Sequence, residues 1–305
     1  MIKVFGHKAP DTDSTGSPII WAWYLTDVKG TPAKAVLLGE PNTEAAFVLK
    51  HWGFDQPEII SDVTADDSVV IVDTNNPAEL PPSINDSKIL AIIDHHMLVG
   101  GLKTKTPIDI TIRPLACTAT LMHDLMGADA ARAPRAIKGA MLSCILSDTL
   151  EFRSPTTTAH DRAVAEALAA DLGVNIAEFA AAMFAAKSDV SSFSDAELLR
   201  MDSKEYNVAG KELRVSVLET TAPQVLLDRK ASLMDSMVAV AKEDGADQVL
   251  LFVIDILNEE ATLLVPNDLV KQLAEASFGC TVTGDTVVLP GIMSRKKQII
   301  PALKL

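Results

Sequence analysis

The sequence predicts an α/β protein: an N-terminal doubly wound, mostly parallel sheet, followed by a smaller C-terminal α/β domain. Three observations carry this expectation. Lys3–Gly6, Ala35–Leu38, Ser68–Val72 and Ile89–Ile93 are short and apolar on consecutive positions rather than alternate ones. That pattern marks strands covered on both faces, hence parallel. Helix-sized segments such as Ser17–Thr26 and Thr43–Trp52 lie between strand-like ones, so the unit repeated is βα. A polar, serine-rich break at Lys187-Ser188-Asp189-Val190-Ser191-Ser192-Phe193-Ser194-Asp195 then interrupts the alternation.

Taken in order, the strand-like and helix-like segments run to an alanine-rich helical stretch over 159–186, which closes a first domain expected at 1–187. Residues 188–194 are read as a linker, the composition expected at a domain boundary. Residues 195–305 form the second domain, with strands expected at Leu213–Leu218, Gln248–Ile256, Glu260–Val265 and Thr286–Leu289. One helix is expected there, at Leu226–Glu243. There is no internal repeat or low-complexity tract.

The chain has 305 residues, of which 48% are hydrophobic, ample for a buried core. No apolar run approaches the roughly 18 residues needed to span a bilayer. The N-terminal Ile2-Lys3-Val4-Phe5 is too short for a secretory h-region of about 7–15 residues. The three cysteines, Cys117, Cys144 and Cys280, are odd in number and scattered, which fits a reduced cytoplasmic protein without a disulfide framework. Net charge is 27 − 41 = −14. It argues against a nucleic-acid partner, whose phosphates require a basic surface. A phosphate substrate is still compatible, because cations can invert the sign inside a cleft while the exterior stays acidic.

Three strand ends carry candidate chemistry. After the first strand come His7, Asp11 and Asp13, placed in a loop by Gly6 and Pro10; a helix cap would explain Asp13 equally well. Asp73 follows Val69-Val70-Ile71-Val72, where a carboxylate can bridge two cations or simply serve a turn. Asp94-His95-His96 follows Ile89–Ile93. Packing hardly explains adjacent histidines there: one can ligate a metal while its neighbour faces substrate, and Asp94 can fix a histidine tautomer. In open parallel sheets, ligands bind beyond the carboxyl ends of the strands at the topological switch point. Asp148, after the apolar stretch Ala140–Leu146, is a further candidate ligand. In the second domain, Ser294-Arg295-Lys296-Lys297-Gln298 is a rare cationic run in an acidic chain and could grip phosphate. Lys204 is ambiguous by itself. His51, His123 and His160 are assigned to structure or surface, and Cys117 and Cys144 to core packing. No phosphate-binding P-loop is present.

Together, His7-x3-Asp11-x-Asp13, Val72-Asp73, Asp94-His95-His96 and Ser147-Asp148 resemble the four motifs of the DHH phosphoesterase superfamily. Lys204 with Ser294–Gln298 narrows the resemblance to the family II, manganese-dependent inorganic pyrophosphatases, as do Cys117-Thr118-Ala119-Thr120 and Ser154-Pro155-Thr156. The resemblance covers essentially the whole chain. It implies two metal ions per subunit: His7 and Asp11 on one, Asp13, His95 and Asp148 on the other, Asp73 bridging. It implies that His96, Lys204, Arg295 and Lys296 bind pyrophosphate in an interdomain cleft, with Lys297 unassigned. It also implies a homodimer. Thr74 departs from the pattern, where the family often has histidine. The stretch from Met97 to Ser147 is too short for inserted regulatory domains.

The expected reaction is hydrolysis of pyrophosphate to two phosphates by a water that bridges and is activated by two cations about 3.5–4 Å apart. Asp73, His96, Lys204, Arg295 and Lys296 are the residues expected to act in it. Imidazole and carboxylate donors without thiolate suit Mn²⁺ or Co²⁺, with Zn²⁺ still compatible. The resemblance favours Mn²⁺, with Mg²⁺ on the substrate. Two other readings compete: a DHH hydrolase acting on polyphosphate, oligonucleotides or cyclic dinucleotides, and a non-catalytic sensor on the same fold. The second domain lacks the glycine-rich, histidine-containing motif of the first, and the intact ligand set argues against the second.

Overall fold

A computed structural model describes residues 1–304, which divide into two compact units, 1–187 and 188–304. The first unit opens with β1 (Ile2–Phe5), α1 (Thr12–Trp23), β2 (Ala33–Leu37), α2 (Thr43–Trp52), β3 (Glu58–Ile59), β4 (Ser68–Val72), β5 (Lys88–Asp94) and β6 (Asp109–Ile112). It continues with α3 (Thr118–Met126), α4 (Arg135–Asp148), α5 (Ala159–Leu172) and α6 (Ile176–Lys187). Its six strands are all parallel, in the order β3-β2-β1-β4-β5-β6. The order reverses between β1 and β4, so the doubly wound prediction holds and the switch point lies beyond Phe5 and Val72. Val69, Ile71 and Val72 are fully buried, as strands with helices on both faces require.

Local features of the first unit differ from the sequence expectation: β3 was not expected, and the helical stretch over 159–186 is two helices, parted at Gly173. Helix α1 begins at Thr12 rather than Ser17, because Asp11 caps it: its carboxylate accepts from the Ser14 amide at 2.9 Å. The His7–Asp11 loop is therefore shorter than expected, and Asp13 stands in the first helical turn. The edge strand β6 was not expected, since Asp109–Ile112 is too exposed to carry a continuous apolar signature.

The second unit comprises α7 (Asp195–Met201), β7 (Ser203–Val208), β8 (Lys211–Thr220), α8 (Pro223–Leu227), α9 (Lys230–Asp244), β9 (Gln248–Asp255), β10 (Glu260–Leu264), α10 (Asp268–Phe278), β11 (Thr286–Pro290) and α11 (Ile300–Ala302). Its sheet, β11-β10-β9-β8-β7, is mixed: β8 and β9 are parallel and the other pairs antiparallel. Strand β9 is buried throughout. Leu250, Phe252 and Ile254 enter one apolar cluster, while Val249, Leu251 and Val253 enter another on the opposite face.

The single helix expected over Leu226–Glu243 is two helices. Pro223 starts α8, and Arg229 breaks the chain before α9 because its guanidinium is held by the Val190 and Phe193 carbonyls and the Asp195 carboxylate. These bonds also pin part of 188–194, the segment read as a linker, to the second unit. Among the described residues no single helix is long and apolar enough to cross a membrane.

Candidate metal centre

The switch point gathers side chains from β1, α1, β4, β5, α3 and α4. Gly6 permits the first approach: a Cβ there would fall 2.0 Å from Ser14 Oγ, the atom that accepts a hydrogen bond from the His7 amide at 2.8 Å. This turn brings His7 Nε2 to 3.8 Å from Asp11 Oδ2 and 3.6 Å from Asp73 Oδ2. Asp73 leaves β4 in the left-handed region, with φ 57°, which Asp tolerates better than branched residues do. Its amide donates to the Ile93 carbonyl at 2.9 Å, and its carboxylate turns into the site, where Thr118 Oγ1 donates to Oδ1 at 3.0 Å.

The paired histidines have different partners. His95 Nδ1 lies 3.1 Å from the Leu115 carbonyl. A carbonyl only accepts, so Nδ1 carries a proton there, which leaves Nε2, 3.4 Å from Asp73 Oδ1, as the ring atom placed to ligate a metal. The ring of His96 is half-exposed, and its Nδ1 lies 2.8 Å from Asp94 Oδ1. Asp94 is fully buried and also accepts from the His95 and His96 amides and from Asn75 Nδ2. Burial raises the Asp94 carboxyl, but these bonds, His96 foremost, hold it below the usual range. The hydrogen bond to Asp94 raises His96 in turn.

Asp13 and Asp148 approach the same region from helix ends. Asp13 accepts from Ser17 Oγ at 2.6 Å and the Thr118 amide at 2.8 Å. One oxygen of Asp13, one of Asp148 and the Cys117 sulfur lie within 4.8 Å of one another. Burial, then the Asp13 and Asp11 carboxylates, push Asp148 well above the ordinary carboxyl range. Burial, then Asp13, Asp11 and Asp148, do the same to Asp73. Burial also raises Asp13, yet the charge of His95 and the Ser17 bond leave it below the usual range.

This donor set fits two divalent cations. The His–Asp separations of 3.4–3.8 Å are too long for hydrogen bonds, yet close to the ~3–3.6 Å between two ligands each about 2.1 Å from one ion. Asp148 Oδ2 is buried without a hydrogen-bond partner. Four carboxylates, Asp11, Asp13, Asp73 and Asp148, converge with no lysine or arginine paired to them among the described residues; two divalent cations would offset that charge. Cys117, assigned to core packing, is fully buried and stands beside Asp13 and Asp148. Burial and the neighbouring carboxylates raise its thiol well above the ordinary range, so it stays protonated and a poor ligand for a hard cation.

Beside the centre, a cleft of about 490 Å³ is lined by His7, Lys8, Asn76, Glu79, His96 and Met97 among others. Thr74, where the resembled family often has histidine, donates to Glu79 Oε2 at 2.7 Å on its wall. In the second unit, Lys204, Arg295 and Lys296 line a separate cleft of about 430 Å³ with Asp202, Glu219 and Ser294. Arg295 is oriented there by the Asp202 carboxylate at 2.7 Å and the Asp202 carbonyl at 2.8 Å. Among the described residues Lys204 and Lys296 form no ion pair. Lys297 does not line this cleft.

Sequence reading missed Thr118, whose amide and hydroxyl serve Asp13 and Asp73, and Glu44, a buried acid in α2. The Cys117–Thr120 motif signalled the first. Nothing near Glu44 signalled the second.

Oxygen and imidazole donors gathered at the switch point of a parallel sheet, ahead of a smaller mixed-sheet unit, define the DHH phosphoesterase class. The family described as "DHH family, N-terminal domain" matches residues 1–148, and the "DHHA2 domain" matches residues 181–305. A Deinococcus radiodurans relative named probable manganese-dependent inorganic pyrophosphatase is 40% identical over 310 residues, covering 100% of this chain and 98% of the relative. A Lactobacillus helveticus relative of the same name is 35% identical over 302 residues, covering 98% and 96%. Among solved structures, a Methanococcus jannaschii protein assigned to family II inorganic pyrophosphatase is 33% identical, with a TM-score of 0.61 over 99% of this chain and 98% of that one. The chain belongs to the manganese-dependent, family II inorganic pyrophosphatases.

Proposed function

We propose that the protein hydrolyses pyrophosphate to two phosphates at a dinuclear manganese centre. The observation that carries the reading is the convergence of His7, Asp11, Asp13, Asp73, His95 and Asp148 donors at one sheet switch point, with Asp73 oxygens facing both His7 and His95. His7 and Asp11 would hold one ion, Asp13, His95 and Asp148 the other, and Asp73 both. Co²⁺ could replace Mn²⁺ in such a donor set. Bound there, the two ions would supply charge neutralisation and lower the pKa of a coordinated water.

The rest of the chemistry falls to side chains. Asp94 orients His96 and keeps it readily protonated, so the imidazolium can neutralise or protonate the leaving phosphate. Lys204, Arg295 and Lys296 supply positive charge for the phosphoryl oxygens, with Mg²⁺ carried on the substrate. Asp202 holds the Arg295 guanidinium in one orientation, which reduces the entropy lost on binding. The unpaired cysteines support a reducing, cytoplasmic location, and the acidic net charge argues against nucleic acid. By family resemblance the chain acts as a homodimer.

Phosphate release from pyrophosphate, compared with cleavage of a short oligonucleotide by the same manganese-loaded protein, tests the substrate class. Pyrophosphate should be strongly preferred; preference for the oligonucleotide overturns the reading.

A further inference from the structure

Glu44 is a fully buried glutamate in the first turn of α2, outside every ligand assignment above. Burying a carboxylate is costly unless its oxygens are engaged. One oxygen, Oε1, accepts from both Thr12 Oγ1, at 2.5 Å, and Ser147 Oγ. The other has no hydrogen-bond partner but lies 3.7 Å from Lys187 Nζ. The two hydroxyls are informative because of where they sit. Thr12 lies between Asp11 and Asp13 at the start of α1, and Ser147 immediately precedes Asp148 at the end of α4. Thr12 and Ser147 stand 147 − 12 = 135 residues apart in sequence, and Glu44 joins them through a single atom. Glu44 is not a member of any of the clustered metal-donor groups.

We propose that Glu44 is a positioning residue for the metal centre, fixing the Asp11–Asp13 turn against Asp148 through Thr12 and Ser147. The inference rests on the metal-ligand assignment above. Holding those segments in register keeps carboxylates that repel one another at ligand spacing before any ion arrives, so it acts on metal affinity rather than on substrate. Groups that support ligands in this indirect way typically change metal affinity about 10–100-fold when removed. The hydrogen-bonding role needs an acceptor oxygen, which a glutamine also supplies; it does not need the charge.

The test is Mn²⁺ binding to metal-free full-length protein, by calorimetry and by the loss of free-Mn²⁺ electron paramagnetic resonance signal, with folding checked by circular dichroism. Wild type should bind two ions per chain; if it does not, the ligand assignment itself fails. Given that, Glu44→Ala should bind about 10–100-fold more weakly, and Glu44→Gln should stay within about threefold of wild type. A folded Glu44→Ala protein with wild-type affinity overturns the inference, as does a Glu44→Gln protein as weak as Glu44→Ala. Should Glu44→Ala not fold, the Thr12→Val/Ser147→Ala pair must weaken binding to the same degree. Wild-type affinity in that variant refutes the role.

Discussion

Replacing Asp148 by asparagine should stabilise the metal-free protein and cripple its metal binding. Oxygens of Asp148 and Asp13 lie within 4.8 Å of each other. Two full charges at that separation repel by about 3.5 kcal/mol at an effective dielectric near 20. Burial and the Asp13 and Asp11 charges push Asp148 towards its protonated form, which relieves part of this repulsion. Holding that proton costs about 1.4 kcal/mol for each pH unit above the group's intrinsic pKa. An amide is neutral at every pH and can donate to Asp13 as the protonated acid does, so it should recover roughly 1–3 kcal/mol at neutral pH. For a unit of this size the melting temperature moves by roughly 2–4 °C per kcal/mol, so metal-free Asp148→Asn should melt several degrees higher in scanning calorimetry. The same protein should bind its second Mn²⁺ more than about 100-fold more weakly, since removing a ligand should exceed the loss from removing a ligand's support. A metal-free variant that melts at or below the wild-type temperature would refute the repulsion argument. Wild-type manganese affinity in the variant would remove Asp148 from the ligand set.

Other consequences can be measured in parallel. Asp73→Asn keeps a residue that tolerates φ 57° but removes the bridging charge; turnover should drop more than about 100-fold, with manganese retained at fewer than two ions per chain. Arg295→Ala should leave manganese content intact and lower kcat/KM for pyrophosphate about 10–100-fold, the loss expected for a hydrogen bond to a charged group; loss of metal instead would contradict the clamp role. Asp73 and Asp148 both titrate above their ordinary range in the metal-free fold. The folded state therefore holds more protons than the unfolded one, and this contribution to metal-free stability is full below the unfolded pKa, near 3.9, and lost as pH rises through the raised values. Manganese needs the deprotonated carboxylates, so its affinity should rise with pH over the same window, with protons released on binding. Calorimetry in buffers of different ionisation enthalpy reads that release directly, and a pH-independent affinity would count against it.

Much of this molecule was legible in the sequence because its parallel strands are short, branched and apolar, and because chemistry sits where they end. Val69–Val72 followed by Asp73, and Ile89–Ile93 followed by Asp94, each announce both a strand and a site. The beginning of α1 was harder. Asp11 as cap and Asp13 as first-turn residue look alike in sequence, and only the Ser14 amide bond distinguishes them. The break at Arg229 depends on carbonyls more than 30 residues away, beyond the reach of periodicity. The contributions of Thr118 and Glu44 were hidden for the same reason. Each acts on residues brought near only by the fold, Thr118 on Asp13 and Asp73, Glu44 on Thr12 and Ser147.

The central claim is that two manganese ions at the β1–β4 switch point make this chain a pyrophosphatase. Stepwise Mn²⁺ addition to metal-free protein, with bound metal and phosphate release from pyrophosphate measured on the same samples, tests it most directly. Activity should appear only as the second ion binds and should saturate at two ions per chain. Full activity at one ion per chain, or two bound ions without pyrophosphate hydrolysis, would contradict it.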